Sequence, residues 1–293
     1  MKIKKVEYTP PPNPQQQNLE KKEESIKFQL ILVDNSHDGN AKAIYETLDF
    51  GCDSIYVHEP KPGLSNARNA ALAFIGDSEF VCTIDDDIIV PEDFLTRLHS
   101  TILKYSDAVI IGGRVELYNS KDLPVTIKTS QEEAIYDGFP LFGFVFGCAM
   151  VIKASVFKDI GIFDPNLGAG TKNGGSEDAD FLYRAWMFYN KKCSIVYAPH
   201  YYVYHNHGRR EPSYTNQLQI NYAKGQGGFY YKHIVQHKSL YILNPFKSAI
   251  AALNLVPLIE VTLTSILVRA LSGKLTTSRF FLQVKNNTPN NSR

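Results

Sequence analysis

An α/β fold with a largely parallel central sheet is predicted by three observations. Short apolar runs recur along the chain (FQLILV at 28–33, IYV at 55–57, FVCTI at 80–84, AVIIGG at 108–113, FVFGCAMVI at 144–152, CSIVYAP at 193–199) and read as buried strands bounded by polar loops. Stretches with apolar residues at helical spacing lie between them, so strand and helix alternate. Polar, acidic loops close the strands: DNSHDGN follows the first and IDDDIIV ends the third, at the carboxyl ends where such sheets collect ligands.

The elements follow in order. Residues 10–26, PPPNPQQQNLEKKEESI, hold too few apolar side chains to offset the entropy of ordering, so 1–26 reads as a disordered tail with order beginning near Lys27. In GLSNARNAALAFI a helix starts after a Pro-Gly turn with Ser65 as N-cap, Ala67, Ala70, Ala71 and Phe74 at helical spacing, and Arg68 in the first turn. In PEDFLTRLHSTIL, Pro91 marks a helix start and Phe94, Leu95, Leu98 and Ile102 share a face. In GGSEDADFLYRAW, Ser176 can cap a helix whose first turn holds Glu177, Asp178 and Asp180, while Leu182, Ala185, Trp186 and Tyr189 form an apolar stripe. The glycines before it, GAGTKNGG, suggest a mobile loop that delivers the acids. Residues 27–237 form the main domain and 238–293 an apolar helical tail. Ala249 to Val268 approaches spanning length but is interrupted by Pro257 and Glu260, so peripheral membrane contact through 245–272 is expected rather than crossing.

Composition bounds the function. With 293 residues and 44% hydrophobic content the chain can fill a large core, and a net charge of +1 gives no basic field for a nucleic-acid partner. The four cysteines are widely separated, without a disulfide framework or zinc spacing, and Cys82 and Cys148 sit in apolar runs as buried thiols. The first thirty residues lack a signal-peptide core, which points to the cytoplasm.

Three adjacent carboxylates, Asp85, Asp86 and Asp87, repel one another unless something positive arrives. A solvated turn, a hard-cation site and a phosphohydrolase of the haloacid-dehalogenase type would each use them, although the last wants Thr or Val where Ile89 stands. The second acidic cluster, Glu177 and Asp178, helps to decide between them. Taken alone it would be a set of acids favoured by the helix dipole.

The ordered set VDNSHDG, PGLSNARNAAL, TIDDDIIVPEDFL, FGCAMVIKASVFKDIGIFDPNLGAG, GGSEDADFLYR and VYHNHG resembles family 2 glycosyltransferases of the GT-A fold, over about residues 28 to 235. The resemblance implies that Asp85 and Asp87, with Asp86 beside them, hold Mn2+ or Mg2+ and the donor's ribose. It implies that Asp34, with Asn35 and Ser36, meets the nucleotide base, and that Arg68 meets the base or diphosphate. Asp178 matches the general base, with Glu177 orienting the acceptor or sharing the role, and His205 and His207 complete the metal shell. The implied reaction is an inverting transfer from a nucleotide-sugar donor to a hydroxyl of a glycan or lipid-linked acceptor, of the kind that builds cell-envelope polysaccharide, at the inner face of the cytoplasmic membrane. Family members usually open with an apolar strand and an amphipathic helix. The stretch KVEYTPPPNPQQQNLEKKEES has neither, so this opening is missing or divergent. A metal-dependent nucleotidyl- or phosphotransferase, or an impaired transferase-like scaffold, would use the same residues.

Overall fold

The computed structural model describes residues 27–189 and 194–237, so the tails 1–26 and 238–293, with the apolar stretch Ala249 to Val268, lie outside the described residues. The chain divides into a unit ending at Phe229 and a second beginning at Tyr230. Of the second, residues 230–237 are described, and they hold the helical turn Tyr231–Gln236.

The first two strands, β1 (Gln29–Asp34) and β2 (Asp53–His58), pair in parallel as a separate two-stranded sheet, with α1 (Ala41–Tyr45) between them. The larger sheet has six strands: β3 (Phe80–Thr83), β4 (Ile88–Ile89), β5 (Ala108–Leu117), β6 (Ala134–Ile135), β7 (Met150–Lys153) and β8 (Ser194–His205). Its order is β3-β7-β5-β8-β4, with β6 on β8. The longest ladders, β5–β8 and β1–β2, are parallel, and the shorter pairings in the larger sheet are antiparallel.

The core lies where β5, β7 and β8 meet. Ile110, Ile111, Val115, Val151, Ile152, Val196 and Val203 are at most 2% exposed. On this core α3 (Phe94–Lys104) lays Phe94, Leu95, Leu98 and Ile102, the expected face. Beyond α4 (Ser155–Ile160), α5 (Glu177–Phe188) buries Phe181, Leu182, Ala185 and Trp186. Phe181 stacks on Phe163 at 4.5 Å between ring centroids. Burying aromatic side chains of this size dominates core energetics, at roughly 1.5–3 kcal/mol for each fully buried large apolar group. The chain continues into α6 (Pro212–Tyr230).

Four local expectations are corrected by physical detail. The helix α2 (Leu64–Ala71) starts from Gly63, at φ 128°, and Ser65 lies inside it, with its hydroxyl donating to Leu167 O at 2.7 Å. Ser176 does precede α5, but its left-handed backbone (φ 69°) leaves no side-chain cap. FVFGCAMVI is strand only from Met150, because Gly147–Ala149 makes a 3-10 turn. An unbroken apolar run conceals such a turn, since periodicity does not register it. FQLILV forms β1, yet Leu30 to Val33 are only half-buried, because among the described residues β1 has a partner strand on one side alone. β3 is an edge of the larger sheet in the same way, and among the described residues no strand joins the two sheets.

Candidate active site

Arg68 organises the site. It lies on α2, its side chain 7% exposed, and Nη1 donates to Glu177 Oε1 at 3.0 Å while Nη2 donates to Asp85 Oδ1 at 2.9 Å. Phe163 covers the guanidinium, 5.5 Å from its ring centroid. The segment before Phe163 is tied to α2 by Asn69, which donates to Phe163 O and accepts from Phe163 N–H at 2.8 and 2.9 Å. Taking ions out of water costs several kcal/mol each, so such a cluster persists only with good geometry and hydrogen bonds. Arg68 was expected to meet a base or diphosphate. In the structure its hydrogen bonds go to the two carboxylates.

Asp178 stands beside this pair. Its Oδ2 accepts the Gly147 N–H at 3.2 Å and its Oδ1 the Ala179 N–H at 2.7 Å. Burial raises its pKa, against the pull of Arg68. Burial, and then the neighbouring Asp178, push Glu177 up to about 7. One guanidinium thus faces three carboxylates, and the pKa of each helix-start acid is raised, which makes it a better proton acceptor than a free carboxylate. Asp180 is different: fully buried, it pairs with Arg184 at 2.8 Å within α5.

The aspartate triplet splits. Asp85 turns to Arg68, Asp86 is exposed, and Asp87 Oδ2 lies 3.1 Å from His205 Nε2. For Asp87, burial is outweighed by the His205 hydrogen bond and by nearby positive charge, so its pKa is lowered. His205 is 5% exposed, and its Nδ1 has no hydrogen-bond partner among the described residues. His207 Nε2 donates to Leu123 O at 3.1 Å and its Nδ1 accepts the Arg209 N–H at 2.9 Å. Both ring nitrogens are occupied, so His207 braces a loop and does not fit the metal shell assigned to it. Asp122 completes that brace, accepting from Gly208 N–H and Arg210 Nε.

Among the described residues no three His, Cys, Asp or Glu side chains form a ready-made metal set. Magnesium and manganese suit oxygen ligands, and magnesium commonly takes only one or two carboxylates, with phosphates and water completing the shell. Asp85 and Asp87, with side chains 27% and 31% exposed, fit that donor set.

The DNS loop is knotted by its own side chains. Asp34 accepts from Ser36 N–H at 2.9 Å, Ala41 N–H at 2.9 Å and Tyr56 Oη at 2.7 Å. These bonds overcome burial and hold its carboxyl well below the usual range. Asn35 donates to Glu59 O and Lys61 O and accepts from Gly63 N–H at 2.9 Å, which fixes the start of α2 and therefore Arg68. Ser36 Oγ accepts the Gly39 N–H at 3.1 Å. Through Gly63 these residues support the start of α2, and with it Arg68.

Sequence reasoning missed Gly147, Thr83 and Phe163. For Gly147 a signal was present: an isolated glycine inside a strand-like run marks close backbone approach.

The α/β domain gathers acids from a strand end and a helix start around one arginine, and its fold is of the GT-A class. Residues 17–161, just under half of the chain, match the family model described as Glycosyl transferase family 2. It is 34% identical over 91 residues to the Succinoglycan biosynthesis protein ExoM of Rhizobium meliloti (strain 1021), covering 30% of this chain and 29% of that protein. It is 26% identical over 191 residues to the Pre-mycofactocin glycosyltransferase of Mycobacterium tuberculosis (strain CDC 1551 / Oshkosh), covering 61% of this chain and 38% of that protein. The chain therefore spans well under half the length of these relatives. It is also similar to the crystal structure of S. aureus TarS 1-349, with a TM-score of 0.44 and 19% identity over 59% of this chain and 51% of that one. Among the described residues no helix is long and apolar enough to cross a membrane.

Proposed function

We propose that the chain transfers a sugar from a nucleotide-sugar donor to a hydroxyl of a glycan or lipid-linked acceptor, with inversion at the anomeric carbon. The observation that carries this is the placing of Asp178 and Glu177 beside Asp85 through Arg68, which joins three of the motifs that resemble the family. Asp178 takes the acceptor hydroxyl proton, the freed oxygen bonds to the anomeric carbon, and the bond to the nucleoside diphosphate breaks, the electron pair leaving with the diphosphate. Glu177, held by Arg68, orients the acceptor. Asp85 and Asp87 would hold a divalent cation, Mn2+ or Mg2+, which neutralises the leaving diphosphate when bound. Asp34, Asn35 and Ser36 shape the donor end through the loop they brace. The names of the relatives, one a polysaccharide biosynthesis protein and one a glycosyltransferase, support the same class. Action at the inner membrane face, through residues 245–272, belongs to this proposal.

Incubation with a panel of nucleotide-sugars and manganese, with and without glycan acceptors, tests it. Acceptor-stimulated nucleotide release is expected from at least one donor. No release from any donor, with the protein folded, would overturn the reading.

A further inference from the structure

We propose that Gly147 is a positioning residue that sets both Asp178 and Arg68, an assignment that rests on the transferase reading only for its kinetic consequence. Three contacts of a residue without a side chain carry it. Its N–H donates to Asp178 Oδ2 at 3.2 Å. Its carbonyl accepts the Thr83 hydroxyl at 2.5 Å, so the last residue of β3, two before Asp85, helps orient the turn. A Cβ at this position would lie 2.6 Å from Nη1 and Nη2 of Arg68 and 2.9 Å from its Cζ.

The third contact explains why glycine stands here. Gly147 is not among the glycines with positive φ, so its backbone does not itself demand glycine. The demand comes from the guanidinium. An arginine head normally swings aside from a methyl group, but this one is held by Glu177 on one nitrogen and Asp85 on the other, and moving it breaks one of those bonds. The bare Cα of Gly147 is the floor of the Arg68 seat, and its N–H is the fixed donor for the neighbouring Asp178. A single turn thus registers α2, the end of β3 and the start of α5 against one another. Misplacement of reacting groups by about 1 Å can cost on the order of 100-fold in rate, so a methyl here should be felt in turnover.

The test is a double-mutant cycle. Gly147→Ala should lower kcat by roughly 10- to 100-fold with donor KM within about twofold. In an Arg68→Lys background, where the slimmer head leaves room for the methyl, the same change should cost less than about twofold. Equal cost in both backgrounds overturns the assignment. A second arm needs neither donor nor acceptor. In arginine-labelled protein the protected Arg68 guanidinium N–H resonances should be present in the native chain and lost in Gly147→Ala, and their persistence overturns the assignment. Should Gly147→Ala fail to fold, Asp178→Ala leaves residue 147 untouched. Faster exchange of the Gly147 amide is expected there, and unchanged exchange refutes the contact. A native chain without turnover would sink the transferase reading, while the two resonance measurements would still decide the role of Gly147.

Discussion

Arg68 Nη1 lies 3.0 Å from Glu177 Oε1, a contact between residues 109 positions apart that ties α2 to the first residue of α5. Because the same guanidinium holds Asp85, one side chain sets the spacing between the strand-end acids and the helix-start acids.

Removing that cation should be costly. In Arg68→Met, Glu177 and Asp85 lose their partner, and breaking a buried pair from one side typically costs about 3–5 kcal/mol. Urea unfolding at pH 8 is expected to show a loss of that size. At pH 5, where Glu177 is protonated and needs no partner, the loss should shrink. An equal loss at both pH values would contradict the charge account.

Native stability should itself depend on pH through Glu177. Its folded pKa, about 7, lies above the ordinary 4.5, so it favours folding while protonated. That contribution is present below pH 4.5 and is lost as pH rises through about 7. Glu177→Gln should therefore flatten the decline in unfolding free energy between these limits. A decline of unchanged slope in the variant would assign it to another group.

Asp34 carries the opposite sign. Its lowered pKa means that its stabilisation is present above the ordinary carboxylate pKa and is lost as pH falls through the acid range. Asp34→Ala leaves the N–H groups of Ser36 and Ala41 without their acceptor, at an expected cost of about 1–3 kcal/mol in unfolding free energy. If the variant is as stable as the native chain, the knotted loop contributes nothing.

Metal binding should discriminate between the histidines and acids. Asp87→Ala is expected to weaken manganese-dependent binding of a nucleoside diphosphate about tenfold or more, as loss of a metal-site group commonly does. His207→Gln, at a side chain whose ring nitrogens both serve the loop, should leave that affinity within about twofold. Calorimetry with and without manganese reads both, and the reverse order would return His207 to the metal shell.

Much of this was legible from residues. Alternation of apolar runs and helical spacing located β1, β2, β3 and the apolar face of α3, because burial imposes those periods directly. The acids at a strand end and a helix start marked the site. What was hidden depends on long-range geometry. Nothing local in NARNA says that Arg68 is buried against residues 17 and 109 positions away. Nothing in HNHG says which imidazole faces an aspartate and which faces a backbone carbonyl. Ser65 and Ser176 both look like caps in sequence, and tertiary contact or a left-handed backbone withdrew each hydroxyl from that role.

The most direct measurement of the central claim is turnover of Asp178→Asn, with donor affinity measured on the same preparation. Asparagine preserves the shape and an oxygen for the Gly147 N–H but cannot take the acceptor proton. Loss of a general base typically costs on the order of 10² to 10⁴ in rate, so kcat should fall by about that much while donor affinity barely changes. The buried Asp180, paired with Arg184, serves as the comparison: Asp180→Asn should act on stability rather than on the chemical step. Normal transfer by Asp178→Asn, or a larger loss of kcat in a folded Asp180→Asn, would contradict the account.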